Sequence, residues 1–194
     1  KLLSAVARRG RRVYNKLAGR IMYMKNLIVY FSHRGENYWK GKMVNLEKGN
    51  AERAAEFIRD AVGGDLLELQ SVKGYPANYR ACVEVARTEL SGRERPELKT
   101  VPESIEQYDN IFLCYPNWCG TMPMPVYTFL EKFNFDGKNI IPLCSNEGSG
   151  MGSSERDIKS ECRGANVFAG LSVRGCETVQ SESIIKKWAK ESVG

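Results

Sequence analysis

Three stretches of this chain gather residue types suited to holding a ligand. The first is Ser32–Asn50 (SHRGENYWKGKMVNLEKGN), which follows an apolar run and opens into a helical pattern. Small polar groups at a helix N-terminus offer free backbone N–H groups and the positive end of the helix dipole, which together suit an anion such as phosphate. Gly35 and Gly49 let the backbone approach closely, and Ser32 adds a hydroxyl. The stretch contains neither G-K-[ST] nor G-x-G-x-x-G, so it is no Walker loop and no dinucleotide fingerprint. The second stretch, Pro116–Met122 (PNWCGTM), puts the Trp118 indole in a strand-to-helix turn, where it suits stacking on a flat ligand. The third, Cys144–Gly152 (CSNEGSGMG), carries Gly148, Gly150 and Gly152, which leave backbone amides accessible to the edge of a heterocycle. Each has a plainer reading: a long connection, a Trp packed on its own helix, a flexible turn. Together they point to a phosphate joined to a planar ring.

Other chemistry finds less support. His33 is the sole histidine, and its position suits a loop side chain near a phosphate better than a catalytic role. The six cysteines show no C-x-x-C spacing, so no zinc site is expected. Cys114 and Cys144 lie in apolar runs and read as buried thiols in a reducing cytoplasm. Cys119 reads as a bystander thiol, with redox activity as the alternative. Asp65, Glu68 and the other acids show no paired arrangement for hydrolysis.

The elements that must position these loops alternate. Strands are expected at Asn26–Ser32, Asp65–Gln70, Tyr108–Tyr115, Asn139–Cys144 and Ala165–Val173. Helices are expected at Asn50–Val62, Asn78–Leu90, Pro125–Phe133, Ser153–Cys162 and Ser181–Glu191, the last with Ser181 as N-cap and Ile184, Ile185 and Trp188 inward. Strand and helix in alternation give a parallel sheet covered on both faces. Ligands then bind beyond the carboxyl ends of the strands, where all three loops fall.

Charge divides the chain. Residues 1–23 hold seven basic residues and no acid, while the remaining residues carry 22 Lys and Arg against 23 Asp and Glu. The body is therefore nearly neutral, and the net charge of +6 belongs to an N-terminal extension at 1–23 ahead of a domain at 24–194. In that extension Leu3, Val6, Val13, Leu17 and Ile21 suit one side of a helix interrupted at Gly10. A basic amphipathic element that touches an anionic membrane or nucleic acid is one reading. A non-domain extension before a natural start at Met24 is the preferred one. No nucleic-acid or membrane partner is expected for the body, and the location expected is cytoplasmic.

Four blocks in order carry a resemblance: Tyr30–Trp39 (YFSHRGENYW) with Lys48–Ala51 (KGNA), Tyr75–Arg80 (YPANYR), Tyr115–Lys132 (YPNWCGTMPMPVYTFLEK) and Ser145–Ser153 (SNEGSGMGS). Over about 24–190 the chain resembles the flavodoxin-like FMN proteins, in particular a bacterial subgroup with a longer first loop. The resemblance implies an α/β, three-layer, doubly wound five-stranded parallel sheet in the order 2-1-3-4-5, with FMN at the switch point. It implies that Ser32, Arg34, Gly49, Asn50 and Ala51 hold the FMN phosphate. Pro116, Asn117, Trp118, Cys119 and Gly120 would lie along the ring. Ser145, Asn146, Glu147, Gly148, Ser149 and Gly150 would meet its other edge, with Tyr75 and Tyr79 as an outer wall. The chain departs from the pattern at Ala51, where a hydroxyl residue is usual, at Cys119, where an aromatic is common, and at Asn146, where a His is common. The function implied is electron transfer between redox partner proteins. The alternatives are an NAD(P)H-dependent quinone or flavin reductase with a small-molecule acceptor, and a scaffold that has lost FMN.

Overall fold

The computed structural model describes residues 12–15 and 20–194. In chain order the elements are β1 (Arg12–Asn15), β2 (Arg20–Tyr23), β3 (Asn26–Tyr30), β4 (Gly35–Trp39), β5 (Lys42–Leu46), α1 (Asn50–Val62), β6 (Asp65–Glu68), α2 (Tyr79–Gly92), β7 (Asn110–Pro116), α3 (Met124–Lys132), β8 (Asn139–Asn146), α4 (Ser154–Glu161), β9 (Asn166–Val167), β10 (Leu171–Arg174), a 3-10 turn (Gly175–Glu177) and α5 (Glu182–Val193).

The main sheet is parallel and runs β6-β3-β7-β8-β10, with β9 also paired to β8. The strand expected at Ala165–Val173 is split into β9 and β10, both on the same edge of β8. Counted as one, they complete the doubly wound order 2-1-3-4-5. Alternate residues of each strand face opposite layers. Ile28, Phe112, Cys114, Ile141 and Leu143 meet Ala54, Ala55 and Ile58 of α1 and Ile185 and Ala189 of α5. Leu27, Val29, Ile111, Leu113 and Ile140 pack with Val126, Phe129 and Leu130 of α3 and Ile158 of α4. Ile184 is not inward: it is 60% exposed, and Ala189, one turn beyond Ile185, takes the buried position. Ser181 precedes α5, but its side chain makes no capping bond.

A row of asparagines ties the amino ends of the strands. Asn26, Asn110, Asn139 and Asn166 each open a strand. The Asn110 amide donates to Asn26 Oδ1 at 2.8 Å and accepts from Asn139 Nδ2 at 2.8 Å, while Asn166 Nδ2 donates to Asn139 Oδ1 at 3.3 Å. Asn110 is fully buried. Asn110→Ala leaves one donor and one acceptor buried without partners, at about 1–3 kcal/mol for each such group. A urea midpoint shifted down by that amount with an unchanged m-value is the expected result, and an unshifted midpoint would refute it.

Two expectations about loops change. The first loop is a β4–β5 hairpin rather than irregular chain, with Tyr38 opposite Met43 and Trp39 opposite Lys42. Lys40 and Gly41 both have positive φ, the conformation that joins two strands in a two-residue turn. The hairpin docks on α2: the Glu36 carboxylate accepts from Tyr79 N at 2.9 Å and Asn78 Nδ2 at 2.7 Å, at the end of the helix that favours negative charge. In the basic extension, Arg12–Asn15 and Arg20–Tyr23 pair as antiparallel strands, with Val13 opposite Met22 and Tyr14 opposite Ile21. Val13 and Ile21 are β-branched and suit strands, and over these two described segments the chain is strand where a helix was expected. Leu3, Val6, Gly10 and Leu17 lie outside the described residues.

Candidate functional site

At the carboxyl ends of β3, β7 and β8 the three loops meet around a cavity of about 600 Å³, within the roughly 300–1,000 Å³ range of ligand pockets.

The α1 end is built for an anion. Gly49 is the N-cap and has no side chain to offer, so Ser32 Oγ accepts the Glu52 N–H instead, at 3.1 Å across the loop. A Cβ on Gly49 would collide with Ser32 Oγ and lie 2.6 Å from the His33 carbonyl oxygen, so the close approach needs glycine. The Asn50 and Ala51 amides are the first two of α1 and have no partner within the helix. Ala51 is buried, and Asn50 lines the cavity. Arg34 turns elsewhere. Its guanidinium contacts Glu52 Oε2 at 3.1 Å and Glu68 Oε1 at 2.9 Å, and it does not line the cavity. Those two carboxylates raise its pKa.

The β7 loop makes a tight turn. Trp118 and Thr121 exchange backbone hydrogen bonds, and Cys119 and Gly120 between them both have positive φ. Trp118 is partly buried, edge-on to Phe31, Tyr75 and His33, with ring centroids 5.1, 5.0 and 5.8 Å away. It is locked by neighbours brought from β3 and the β6–α2 connection, neither on its own helix nor free at the mouth. Tyr75 therefore stands behind Trp118 and outside the cavity lining, its hydroxyl donating to Glu89 at 2.7 Å.

The β8 loop is held by two asparagines. Asn146 Oδ1 accepts the Gly148 and Gly150 N–H groups at 2.9 and 3.0 Å, and its Nδ2 donates to Ser172 Oγ at 2.9 Å. Asn117 Nδ2 donates to the Gly150 carbonyl at 2.9 Å, and Asn117 Oδ1 accepts from Gly120 N–H at 3.0 Å, joining the two loops. Glu147 lines the cavity, and its Oε1 accepts the Cys176 N–H at 2.7 Å.

Ten of the expected residues line the cavity: Asn50, Tyr79, Pro116, Asn117, Trp118, Cys119, Ser145, Asn146, Glu147 and Ser149. Ser32, Gly49, Ala51, Gly120, Gly148 and Gly150 belong to the same loops but are not part of its lining. Five further side chains line it without having been anticipated there: Tyr38 of the hairpin, and Cys82, Val83, Ala86 and Arg87 of α2. With Tyr79 the α2 residues form one helical face at i, i+3, i+4, i+7 and i+8. That spacing is visible in the sequence, but which side of the helix meets a ligand is not.

His33 also lines the cavity. Its Nδ1 lies 4.0 Å from Cys82 Sγ, and its buried Nε2 has no partner among the described residues. Burial lowers the pKa of the imidazole below its usual 6.5 and raises the Cys82 thiol to about 12, with the Glu89 carboxylate adding to the latter. For His33 the folded state binds the proton less well than the unfolded chain, so protonation favours unfolding. Above pH 6.5 the two states hold the imidazole alike; as pH falls through 6.5 toward the lowered folded value, stability is lost. The expected result is a urea midpoint that drops between pH 7.5 and 5.5, and drops less in His33→Gln. Equal slopes for the two proteins would refute it.

The fold and this cavity define a doubly wound α/β protein built for a flat ligand that ends in an anion. The family model named Flavodoxin matches residues 25–192, so the chain belongs to the flavodoxin family. Two solved structures with 27% sequence identity are similar to it. The one from Bacteroides uniformis, provisionally classed as a flavoprotein, has a TM-score of 0.68 over 86% of this chain and 98% of its own. The one from Bacteroides eggerthii, likewise provisionally classed, has a TM-score of 0.67 over 88% and 98%. A Lactobacillus acidophilus flavoprotein solved in complex with FMN shares the fold at 20% identity and a TM-score of 0.58, over 82% of this chain and 99% of that one. The residues present fit FMN: free helix N–H groups for the phosphate, and a cavity lined by rings and loop amides for the isoalloxazine. Among the described residues no helix is long and apolar enough to cross a membrane.

Proposed function

We propose that this chain is an FMN-dependent redox protein that passes electrons to a small-molecule acceptor entering the same cavity. The observation that carries the reading is the additional wall. Val83, Ala86 and Arg87 of α2 extend the cavity beyond the three loops and, with Tyr38 of the first loop, give a second flat molecule apolar and aromatic surface to lie on. The near-neutral body is consistent with this, because docking to protein partners generally relies on a strongly charged face.

FMN supplies the redox chemistry, and the protein binds, orients and tunes it. The α1 N-terminus, with Ser32, Gly49 and Asn50, holds the phosphate. Trp118, fixed by three other rings, sets the place of the isoalloxazine. In the Trp118–Thr121 turn the Gly120 carbonyl is occupied by Ser153 N–H at 2.8 Å and the Trp118 carbonyl by Thr121 N–H at 3.1 Å. The Cys119 carbonyl would remain to accept a hydrogen bond from a ring N–H of the bound flavin. Glu147 opposes negative charge on the reduced ring, and its bond from Cys176 N–H moderates that repulsion.

Shuttling between proteins is the second reading. The exposed Tyr38–Met43 pair on the hairpin, next to Lys40 and Lys42, favours it. An absorption spectrum of the purified protein and titration with FMN test the shared part: bands near ~450 and ~375 nm, or saturable uptake, are expected. The absence of both would sink it. Steady reduction of a quinone by NAD(P)H with the protein alone favours the small-molecule reading. Turnover only with an added protein partner favours shuttling.

A further inference from the structure

We propose that Arg87 makes the α2 side of the cavity a binding point for the anionic group of the acceptor, and that the acceptor is a flat aromatic molecule bearing a sulfonate or carboxylate. This rests on the small-molecule reading above. Arg87 lies about two turns beyond Tyr79 on the cavity-lining face of α2. Among the described residues it makes no ion pair and no side-chain hydrogen bond. The one carboxylate lining the cavity, Glu147, is bonded to Cys176 N–H on the β10 side.

The cavity therefore has two attractions for negative charge on two different elements. One is the N-terminus of α1 at Asn50, which the FMN phosphate uses. The other is the Arg87 guanidinium on α2, which a single FMN phosphate held at α1 leaves free. Tyr38, Tyr79, Val83 and Ala86 line the same cavity as the exposed Arg87 and bring ring and apolar surface to it. A planar guanidinium beside such surface suits a flat aromatic body that carries a carboxylate or sulfonate, whose paired oxygens match its fork of donors. With a quinone as the acceptor, bound reduced FMN would supply the two electrons and two protons that convert the two carbonyls to hydroxyls, and would itself be oxidised. The anionic group takes no part in the bond changes. It positions the ring and raises the encounter rate.

The test uses the full chain loaded with FMN and reduced with stoichiometric dithionite. It is mixed in a stopped-flow instrument with 1,4-naphthoquinone-2-sulfonate or with neutral 2-methyl-1,4-naphthoquinone. In Arg87→Gln the ratio of the two second-order rate constants, sulfonate over neutral, is expected to fall about tenfold, as for loss of a charge-assisted hydrogen bond. Arg87→Lys should keep most of the ratio, and 0.5 M NaCl should narrow it in the unaltered protein. A ratio unmoved by Arg87→Gln and by salt, with both quinones still reduced, overturns the proposal and leaves the small-molecule reading standing. A tenfold loss of FMN affinity in Arg87→Gln also overturns it, since Arg87 would then serve the cofactor phosphate. Failure of the unaltered protein to reduce either quinone removes the small-molecule reading and the proposal with it.

Discussion

Gly49→Ala is expected to lower FMN affinity by about a hundredfold or more while the chain still folds. The added methyl has no free space: it meets Ser32 Oγ and sits 2.6 Å from the His33 carbonyl oxygen. One side of that contact is backbone, so the loop itself must move. The movement breaks the Ser32 Oγ bond to Glu52 N–H and re-aims the Asn50 and Ala51 amides. Two charge-assisted hydrogen bonds to a phosphate, at about 1.5–3 kcal/mol each, account for a loss of that size. Riboflavin lacks the phosphate, so its weaker binding should change much less. Isothermal titration with FMN and with riboflavin checks both halves. Equal losses for the two ligands would show that the cradle does not hold the phosphate.

Trp118→Ala is expected to cost about 3–5 kcal/mol of stability and to weaken flavin binding as well. The indole is packed edge-on against Phe31, Tyr75 and His33, so its removal leaves a hole bounded by β3 and the β6–α2 connection. Edge-to-face ring pairs contribute about 0.5–1.5 kcal/mol each beyond their buried area. Trp118→Phe fills part of the hole and should lose less than half as much. Trp118 is one of three tryptophans, and a bound isoalloxazine beside it should quench its emission. The same titration in Trp118→Phe should show that quenching largely gone. Quenching of equal size in both proteins would place the ring away from this residue.

Much of this protein was legible in its residues because the signals were local. The apolar run Asn26–Ser32 became β3 over Asn26–Tyr30, buried along its whole length, and Asn50–Val62 became α1 with the boundaries its pattern indicated. The glycine and small-polar loops fell at the carboxyl ends of the strands, as alternating topology requires. The β4–β5 hairpin was missed because the nineteen-residue connection from β3 to α1 reads as polar chain; a two-residue Lys40–Gly41 turn carries the signal, but no alternating core face supports it. Ile184 was placed inward because adjacent isoleucines cannot be told apart by period alone, and the packing of α5 on α1 selected Ile185 and Ala189.

By itself, then, the sequence determined the strand and helix alternation, the parallel sheet and the three loops that meet around the cavity. These follow from hydrophobic period, glycine placement and helix starts, which act over a few residues. Tertiary structure alone decided the partners. It sent Arg34 to Glu52 and Glu68 instead of a phosphate, because two carboxylates from α1 and β6 converge on its path. It placed Tyr75 behind Trp118, where its hydroxyl reaches Glu89. It turned the Tyr79–Arg87 face of α2 toward the cavity, since Glu36 of the hairpin fixes where that helix begins. Each of these contacts joins residues far apart in the chain, and a long side chain's direction is set by whichever charge or surface the fold brings within reach.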